Sequence, residues 1–246
     1  MKLVLSKPKY LKESISIINE LVIESRLLFK HTGLEIISMD AANIAMVIFK
    51  LLKSSFITYN LEKEFDVGVK LSELKEVFRR VSEDDIVTIE FDDKLIVTSK
   101  GKTTKRFKIP IVDLEGEQKK SPDVKFDCII NTKSAYLSEA VDVCDIYKDD
   151  ISIRISTKPD RVKFEVNEPG VEVYSIIKTN KETKINTKVD VNAKFSKSYM
   201  KKFILGSKLS DEVTIELKTD FPMKITYKVP DKVSLSFIIA PRVENK

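Results

Sequence analysis

The sequence predicts an α+β protein built from two tandem copies of one domain, and three observations carry that prediction. The first is an internal repeat. Tyr10-Leu11-Lys12-Glu13-Ser14-Ile15 returns as Tyr136-Leu137-Ser138-Glu139-Ala140-Val141, at an offset of 126. Asp85-Ile86-Val87-Thr88-Ile89-Glu90 returns as Asp211-Glu212-Val213-Thr214-Ile215-Glu216 at the same offset of 126, which is a domain length and not a solenoid period. The second observation is that each copy mixes a few apolar stripes at helical spacing with many short alternating runs. The third is the stretch Asp113–Asp123, which is polar, holds Gly116 and Pro122, and has no apolar period. The expected organisation is therefore a domain over 1–113, a connecting loop over 114–125 and a second domain over 126–246.

Each copy opens with a short strand, Lys2–Leu5 or Phe126–Ile130. A helix follows, with apolar residues at Leu11, Ile15, Ile18 and Val22, or at Leu137, Ala140, Val141 and Cys144. Spacings of three and four put each set on one buried face. Strands are expected at Arg26–Phe29, Gly33–Ser38 and Ala45–Leu51, answered by Ile151–Ser156, Arg161–Val166 and Val171–Ile177. The breaks at Thr32-Gly33 and Lys158-Pro159-Asp160 supply hairpin turns. A second helix comes next, Leu71–Arg80 or Ser196–Leu205, with Leu74, Val77 and Phe78 answered by Met200, Phe203 and Ile204. Further strands complete each copy, giving two helices among roughly eight or nine strands.

Composition excludes much. The 246 residues are 42% hydrophobic and 33% charged, enough for two domains with real cores. A net charge of +5 is compatible with a polyanionic partner. His31 is the one histidine, and Cys128 and Cys144 cannot build a zinc site by themselves. Glycine occurs six times, with no GxGxxG or GxxxxGK[ST] pattern to cradle a phosphate. No cofactor is expected. The apolar run at Met1–Leu5 is too short for a signal peptide, and no stretch nears the roughly 18 apolar residues of a membrane span. With no disulfide framework either, the expectation is a soluble, intracellular protein without a membrane partner.

The helix faces opposite the core carry the functional hint. Lys9, Lys12, Ser16 and Asn19 lie away from the first helix's apolar stripe. Lys75 and Arg79 are four apart on the second, with Arg80 beside them. In the second copy Lys197 and Lys201 repeat that spacing next to Lys202, while the third helix exposes Glu139, Asp142 and Asp145 between Lys133 and Lys148. Cation pairs without interleaved aromatics fit phosphate contact and not base reading. Two acidic runs, Glu83-Asp84-Asp85 and Asp149-Asp150, offer an alternative reading as Mg²⁺-holding nuclease groups, although both precede strands where turn residues are expected. A non-ring duplex-DNA binder using the same basic helices is the other alternative.

The segment Gly33-Leu34-Glu35-Ile36-Ile37-Ser38-Met39-Asp40-Ala41-Ala42-Asn43-Ile44-Ala45-Met46-Val47 resembles the SMD-containing segment of DNA sliding clamps of the proliferating cell nuclear antigen family. Phe56-Ile57-Thr58-Tyr59-Asn60 is similar to its F-x-x-Y element, and Phe65–Leu71 to the strand that runs into its second helix. Pro222–Lys228 and Ile239-Ala240-Pro241-Arg242-Val243-Glu244 resemble its C-terminal strand and tail. The likeness follows the family's order over nearly the whole chain, and compactness resembles the archaeal members most.

The resemblance implies three subunits in a pseudo-sixfold ring, with helices lining a hole that encircles duplex DNA and antiparallel sheets outside. Such a ring is a processivity factor for replication and repair and performs no chemistry. It implies DNA contact at Lys12 and Arg79, to which helical geometry adds Lys9, Lys75, Arg80, Lys197 and Lys201. It implies subunit contact between strands Thr104–Val112 and Val171–Thr179, through Phe107, Ile109 and Ile111 against Val173 and Ile176, with Pro110 marking an edge. It implies a pocket for partner tails at Met39, Asn43, Ile44, Met46, Phe126, Pro222, Ile238, Ala240, Pro241 and Arg242. The implied partners are DNA polymerase, clamp loader, flap endonuclease and DNA ligase, in an archaeal cytoplasm at the nucleoid. Three departures stand out: the linker's Gln118-Lys119-Lys120-Ser121-Pro122 where the family carries apolar residues, the basic net charge, and the acidic third helix. They suit a specialised subunit of a heterotrimeric ring as an alternative to a homotrimer.

Overall fold

The computed structural model describes residues 1–116, 118–146 and 152–242. Glu117, Lys148, Asp149-Asp150, Ile151 and Val243-Glu244, all named above, lie outside the described residues. The chain forms two compact units. The first holds Met1–Asn43, Val47–Ser121 and Val229–Leu235, and the second holds Ile44–Met46, Pro122–Lys228 and the chain from Ser236 on.

The first unit begins with β1 (Lys2–Leu5) and α1 (Lys9–Ile18). Pro8 opens the helix, its missing donor harmless there, and its carbonyl accepts from Lys12 N at 2.9 Å. Leu11, Ile15 and Ile18 are buried as their spacing requires. β2 (Glu24–Lys30), β3 (Gly33–Met39), β4 (Ala45–Leu52), β5 (Thr58–Asn60) and β6 (Phe65–Lys70) lead into α2 (Leu71–Arg79). That helix buries Leu71, Leu74 and Phe78, with Glu73 in its first turn and Arg79 in its last to complement the dipole. β7 (Ile86–Phe91), β8 (Leu95–Lys100) and β9 (Thr104–Ile109) follow. One sheet takes the order β5-β1-β7-β8-β9, and the remaining strands neighbour one another as β4-β3-β2-β6. α1 and α2 pack on each other, and α2 also meets β2, β6 and β9.

The second unit repeats this plan. β10 (Cys128–Lys133), α3 (Ser134–Cys144), β11 (Ser152–Lys158), β12 (Arg161–Glu168), β13 (Val171–Lys178), β14 (Lys184–Thr187) and β15 (Asn192–Ser196) lead into α4 (Lys197–Phe203). β16 (Glu212–Leu217), β17 (Met223–Val229) and β18 (Val233–Ile239) complete it. The orders β14-β10-β16-β17-β18 and β13-β12-β11-β15 reproduce those of the first unit strand for strand. The internal repeat is thus a repeat of topology, and α+β with two helices per copy holds. The ends of several elements differ from expectation: β10 starts at Cys128, so Phe126 precedes it, and Pro110 lies just past β9 and not inside it.

One local departure has a clear cause. α4 is short and passes into a 3-10 turn at Ile204–Lys208. Three residues per turn in place of 3.6 rotates the buried stripe, so Met200 and Phe203 are buried where the first unit buries Leu74 and Phe78. The turn is pinned by Gly206, where an added Cβ would sit 2.2 Å from the Tyr227 ring. Each fully buried side chain of this size contributes roughly 1.5–3 kcal/mol. The Tyr227 hydroxyl is the exception: it is buried and has no hydrogen-bond partner among the described residues, and burial pushes its phenol far above the ordinary value.

Tyr227→Phe is therefore expected to raise the unfolding free energy by about 1 kcal/mol. Urea titration of the two proteins checks this, and a fall of that size would show that the hydroxyl is bonded after all.

Candidate nucleic-acid interface

The cations chosen from sequence separate into three kinds. Lys9 stands exposed at the start of α1, with no ion pair among the described residues. Lys12, one turn later and half-buried, donates from Nζ to the Val81 carbonyl at 2.8 Å, which fixes its side chain across to the end of α2 and leaves its charge unneutralised. Lys75 pairs with Glu20 at 2.9 Å. Arg79 and Arg80 share one carboxylate, that of Glu76, at 2.8 and 3.0 Å. The Arg79 and Arg80 guanidiniums hold the Glu76 carboxyl below its ordinary range, chiefly through the Arg80 hydrogen bond, so this trio keeps one net positive charge. Surface pairs of this kind are worth about 0–1 kcal/mol and can be exchanged for phosphate contacts.

The second unit departs from expectation. Lys197 is only 3% exposed, and its ammonium lies 3.3 Å from Asp145. It is not a solvent-facing cation, because the carboxylate that caps α3 holds it inside the packing of α3 on α4. Lys201 also reaches Asp145, at 2.5 Å, and keeps half of its side chain exposed. Desolvation raises the Asp145 carboxyl, but the hydrogen bonds from Lys201 and Lys197 outweigh it and the net shift is downward. Lys202 lies over the Tyr199 ring at 5.6 Å. Asp145, which reads from sequence as an exposed acid, is thus the group that neutralises its neighbours. Nothing in the sequence pairs it with residues more than fifty positions away.

The acidic run before β7 is also structural. Asp85 is buried, accepting from Ser82 N at 3.1 Å and from the Ser99 hydroxyl, with Lys105 at 3.6 Å. The Ser99 hydrogen bond, then that of Ser82, holds its carboxyl below the ordinary range. Asp85 is therefore turned away from any Mg²⁺ that Glu83 and Asp84 could approach. Among the described residues no cluster of three His, Cys, Asp or Glu is placed to hold a metal ion. No described helix is long and apolar enough to cross a membrane.

The strands expected to meet other subunits are both sheet edges: β9 pairs only with β8, and β13 only with β12. Their faces differ from the reading by alternation. Ile109 is 2% exposed and sits opposite Leu95, and half-buried Phe107 sits opposite Val97, so both face their own domain's interior. Arg106 and Lys108 are the exposed side chains of β9, and Ile111 is exposed beyond it. On β13, half-buried Val173 and exposed Ile176 lie on opposite faces, as their odd separation requires. Ile176 instead shares its face with Tyr174, which is 55% exposed and carries Lys163 over its ring at 4.9 Å. Period-two counting from Ile176 would have found Tyr174.

The candidate pocket residues fall in both units. In the first, half-buried Met39 ends β3, and Asn43 takes a left-handed φ of 56° in the turn where its N–H donates to the Asp40 carbonyl at 3.0 Å. In the second, exposed Ile44 accepts at its carbonyl from Ala240 N at 3.0 Å, which ties the tail to the start of β4. Arg242 N donates to the Lys194 carbonyl at 2.7 Å, and its guanidinium reaches the Ser152 hydroxyl at 3.4 Å. Met46, Phe126, Pro222 and Pro241 are half-buried and Ala240 is exposed, whereas Ile238 is buried in β18 and can only floor a pocket. The connecting loop is anchored at its start. Arg26 pairs with Asp66 at 3.0 Å and donates to the carbonyls of Leu114 and Gly116, while Val112 N donates to the Gly68 carbonyl at 3.0 Å. A Cβ at Gly68 would lie 2.2 Å from the Val112 oxygen, so only glycine lets the chain approach so closely.

Removing the Asp145 charge leaves a buried ammonium with its main partner gone. Asp145→Asn is expected to cost roughly 3 kcal/mol, and Lys197→Met in that background to recover most of it. Urea midpoints at pH 7 check both, and an unchanged midpoint for Asp145→Asn would overturn the assignment.

The chain's similarity to known proteins follows the same division. Residues 1–118 match the N-terminal domain, and residues 120–242 the C-terminal domain, of proliferating cell nuclear antigen. The DNA polymerase sliding clamp 1 of Pyrobaculum aerophilum is 30% identical over 237 residues, covering 96% of this chain and 94% of that one. The DNA polymerase sliding clamp of Nanoarchaeum equitans is 27% identical over 249 residues, covering 98% and 99%. The crystal structure of proliferating cellular nuclear antigen from Entamoeba histolytica superposes with a TM-score of 0.90 at 20% identity, covering 98% of each chain. The repeated α+β plan and the matched order of its two domains place this chain in the proliferating cell nuclear antigen family of DNA polymerase sliding clamps.

Proposed function

We propose that this chain is one subunit of a ring that encircles duplex DNA and tethers DNA polymerase and other replication and repair enzymes to it. The two clamp domains are 1–113 and 126–246, joined by the loop 114–125. The observation that carries the reading is the pairing of two features in one repeat: cation-bearing helices without base-stacking aromatics, and open sheet edges at β9 and β13. A ring needs phosphate contacts weak enough to slide, which Lys9, Lys12, Lys75, Arg79 and Arg80 supply without reading sequence. It also needs edges that pair with a neighbour, since an unpaired edge is an aggregation liability in a monomer. Catalysis plays no part in this role.

Three copies of the chain, or this chain with paralogous subunits, complete the ring. The neutralised cations of α4 and the acidic α3 favour the second arrangement as the runner-up. Partners such as the polymerase, loader, flap endonuclease and ligase dock short tails at the segment around Ile44, Ala240 and Pro241. The protein acts in the cytoplasm, at the nucleoid.

Light scattering across a dilution series tests the assembly. A homotrimer gives three times the 28.1 kDa chain mass, and Ile176→Asp at the β13 edge is expected to lower that mass by stranding a charge in the contact. An unchanged mass for the variant would remove β13 from the interface. Retention on DNA tests the function. Changing Lys9, Lys12, Lys75 and Arg79 together to Ala is expected to shorten retention on end-blocked duplex while leaving the unfolding free energy within about 1 kcal/mol of the parent, since exposed pairs contribute little. Equal retention of parent and variant at every salt concentration would refute the assigned DNA face.

A further inference from the structure

The helix layers of the two repeats carry opposite electrostatics although their folds match. In the first, Lys9 is exposed and has no ion pair among the described residues, Lys12 keeps its charge, and Arg79 and Arg80 share one acid. In the second, the outward face of α3 borders an open groove of about 1040 Å³ lined by Glu139, Asp142, Glu182 and Asp211. Glu139 and Asp142 are exposed, and no cation pairs with either among the described residues. Lys133, the one lysine in that lining, is drawn off to Glu212 at 3.5 Å. Glu182 accepts from the Tyr136 hydroxyl at 2.5 Å and so keeps its charge on the groove. The cations of α4 that could compensate are bound to Asp145.

We propose that the encircled duplex is carried by the first repeat's helices alone, and that Glu139 and Asp142 of α3 hold its phosphates away from the second repeat. This rests on the ring reading above. A carboxylate within a Debye length of a phosphate, about 8 Å at physiological salt, repels it with little screening. Each face that fails to neutralise a phosphate also releases no counterion, so it adds nothing to affinity. The result is a ring that grips DNA at alternate domains, which lowers total affinity and eases sliding. Glu139 and Asp142 are then positioning residues that touch no nucleotide.

The test compares retention of the loaded clamp on duplex with free and with blocked ends, across a salt series. The parent is expected to stay on blocked and leave free-ended DNA. Lys201→Ala is expected to change neither retention time nor salt slope. E139K/D142K is expected to lengthen retention several-fold near physiological salt and to steepen the slope by about 0.9 for each further phosphate neutralised. Loss of retention in Lys201→Ala, or no change in E139K/D142K, overturns the inference while end-dependence in the parent leaves the ring intact. A parent indifferent to its DNA ends removes the ring reading, and this inference with it.

Discussion

A strand at the border of an open sheet has a row of backbone donors and acceptors that its own domain cannot pair. Both units of this chain end their sheets in that condition, at β9 and at β13. The side chains respond to the constraint differently. β9 turns its apolar residues inward and shows Arg106 and Lys108, whereas β13 shows Tyr174 and Ile176. One edge is charged and the other apolar, so the two are suited to each other better than either is to its own copy. That asymmetry favours a head-to-tail contact, which closes into a ring only if the rotation between subunits allows it.

Duplication gave the chain two versions of one scaffold, and the versions diverged in charge much more than in packing. The buried stripe of α1 is repeated in α3, and strand order is repeated throughout. The outward positions were free to change because no core contact depended on them. The Asp145 cluster is the point where a surface change became internal: once Lys197 was enclosed, the carboxylate became obligatory. A buried pair of this kind is weak support for net stability, but breaking it is costly, and that makes the neutralised face hard to reverse by single substitutions.

Most of the fold could be read from the sequence, because period and repeat are local or self-referring signals. The turns at Gly33 and Pro159, the stripe at Leu11, Ile15 and Ile18, and the edge role of β9 and β13 all follow from spacing and order along the chain. What could not be read depends on contacts between distant positions. Lys197 is buried because Asp145 meets it, and Asp85 faces inward because Ser99 and Gly101 receive it. Ile109 faces the other way from its expected contact because alternation gives two faces without saying which is the inner one. Val173 and Ile176 are separable by parity alone.

The grip of Arg26 on the connecting loop falls on main-chain oxygens, at Leu114 and Gly116, and the neighbouring bond at Gly68 is also backbone to backbone. Such a hold is indifferent to most side chains of the segment it holds. The loop beyond it could therefore acquire a lysine-rich sequence without loosening its attachment to the first domain. Partner choice and domain anchoring are written in separate parts of the same segment, and one can drift while the other stays fixed.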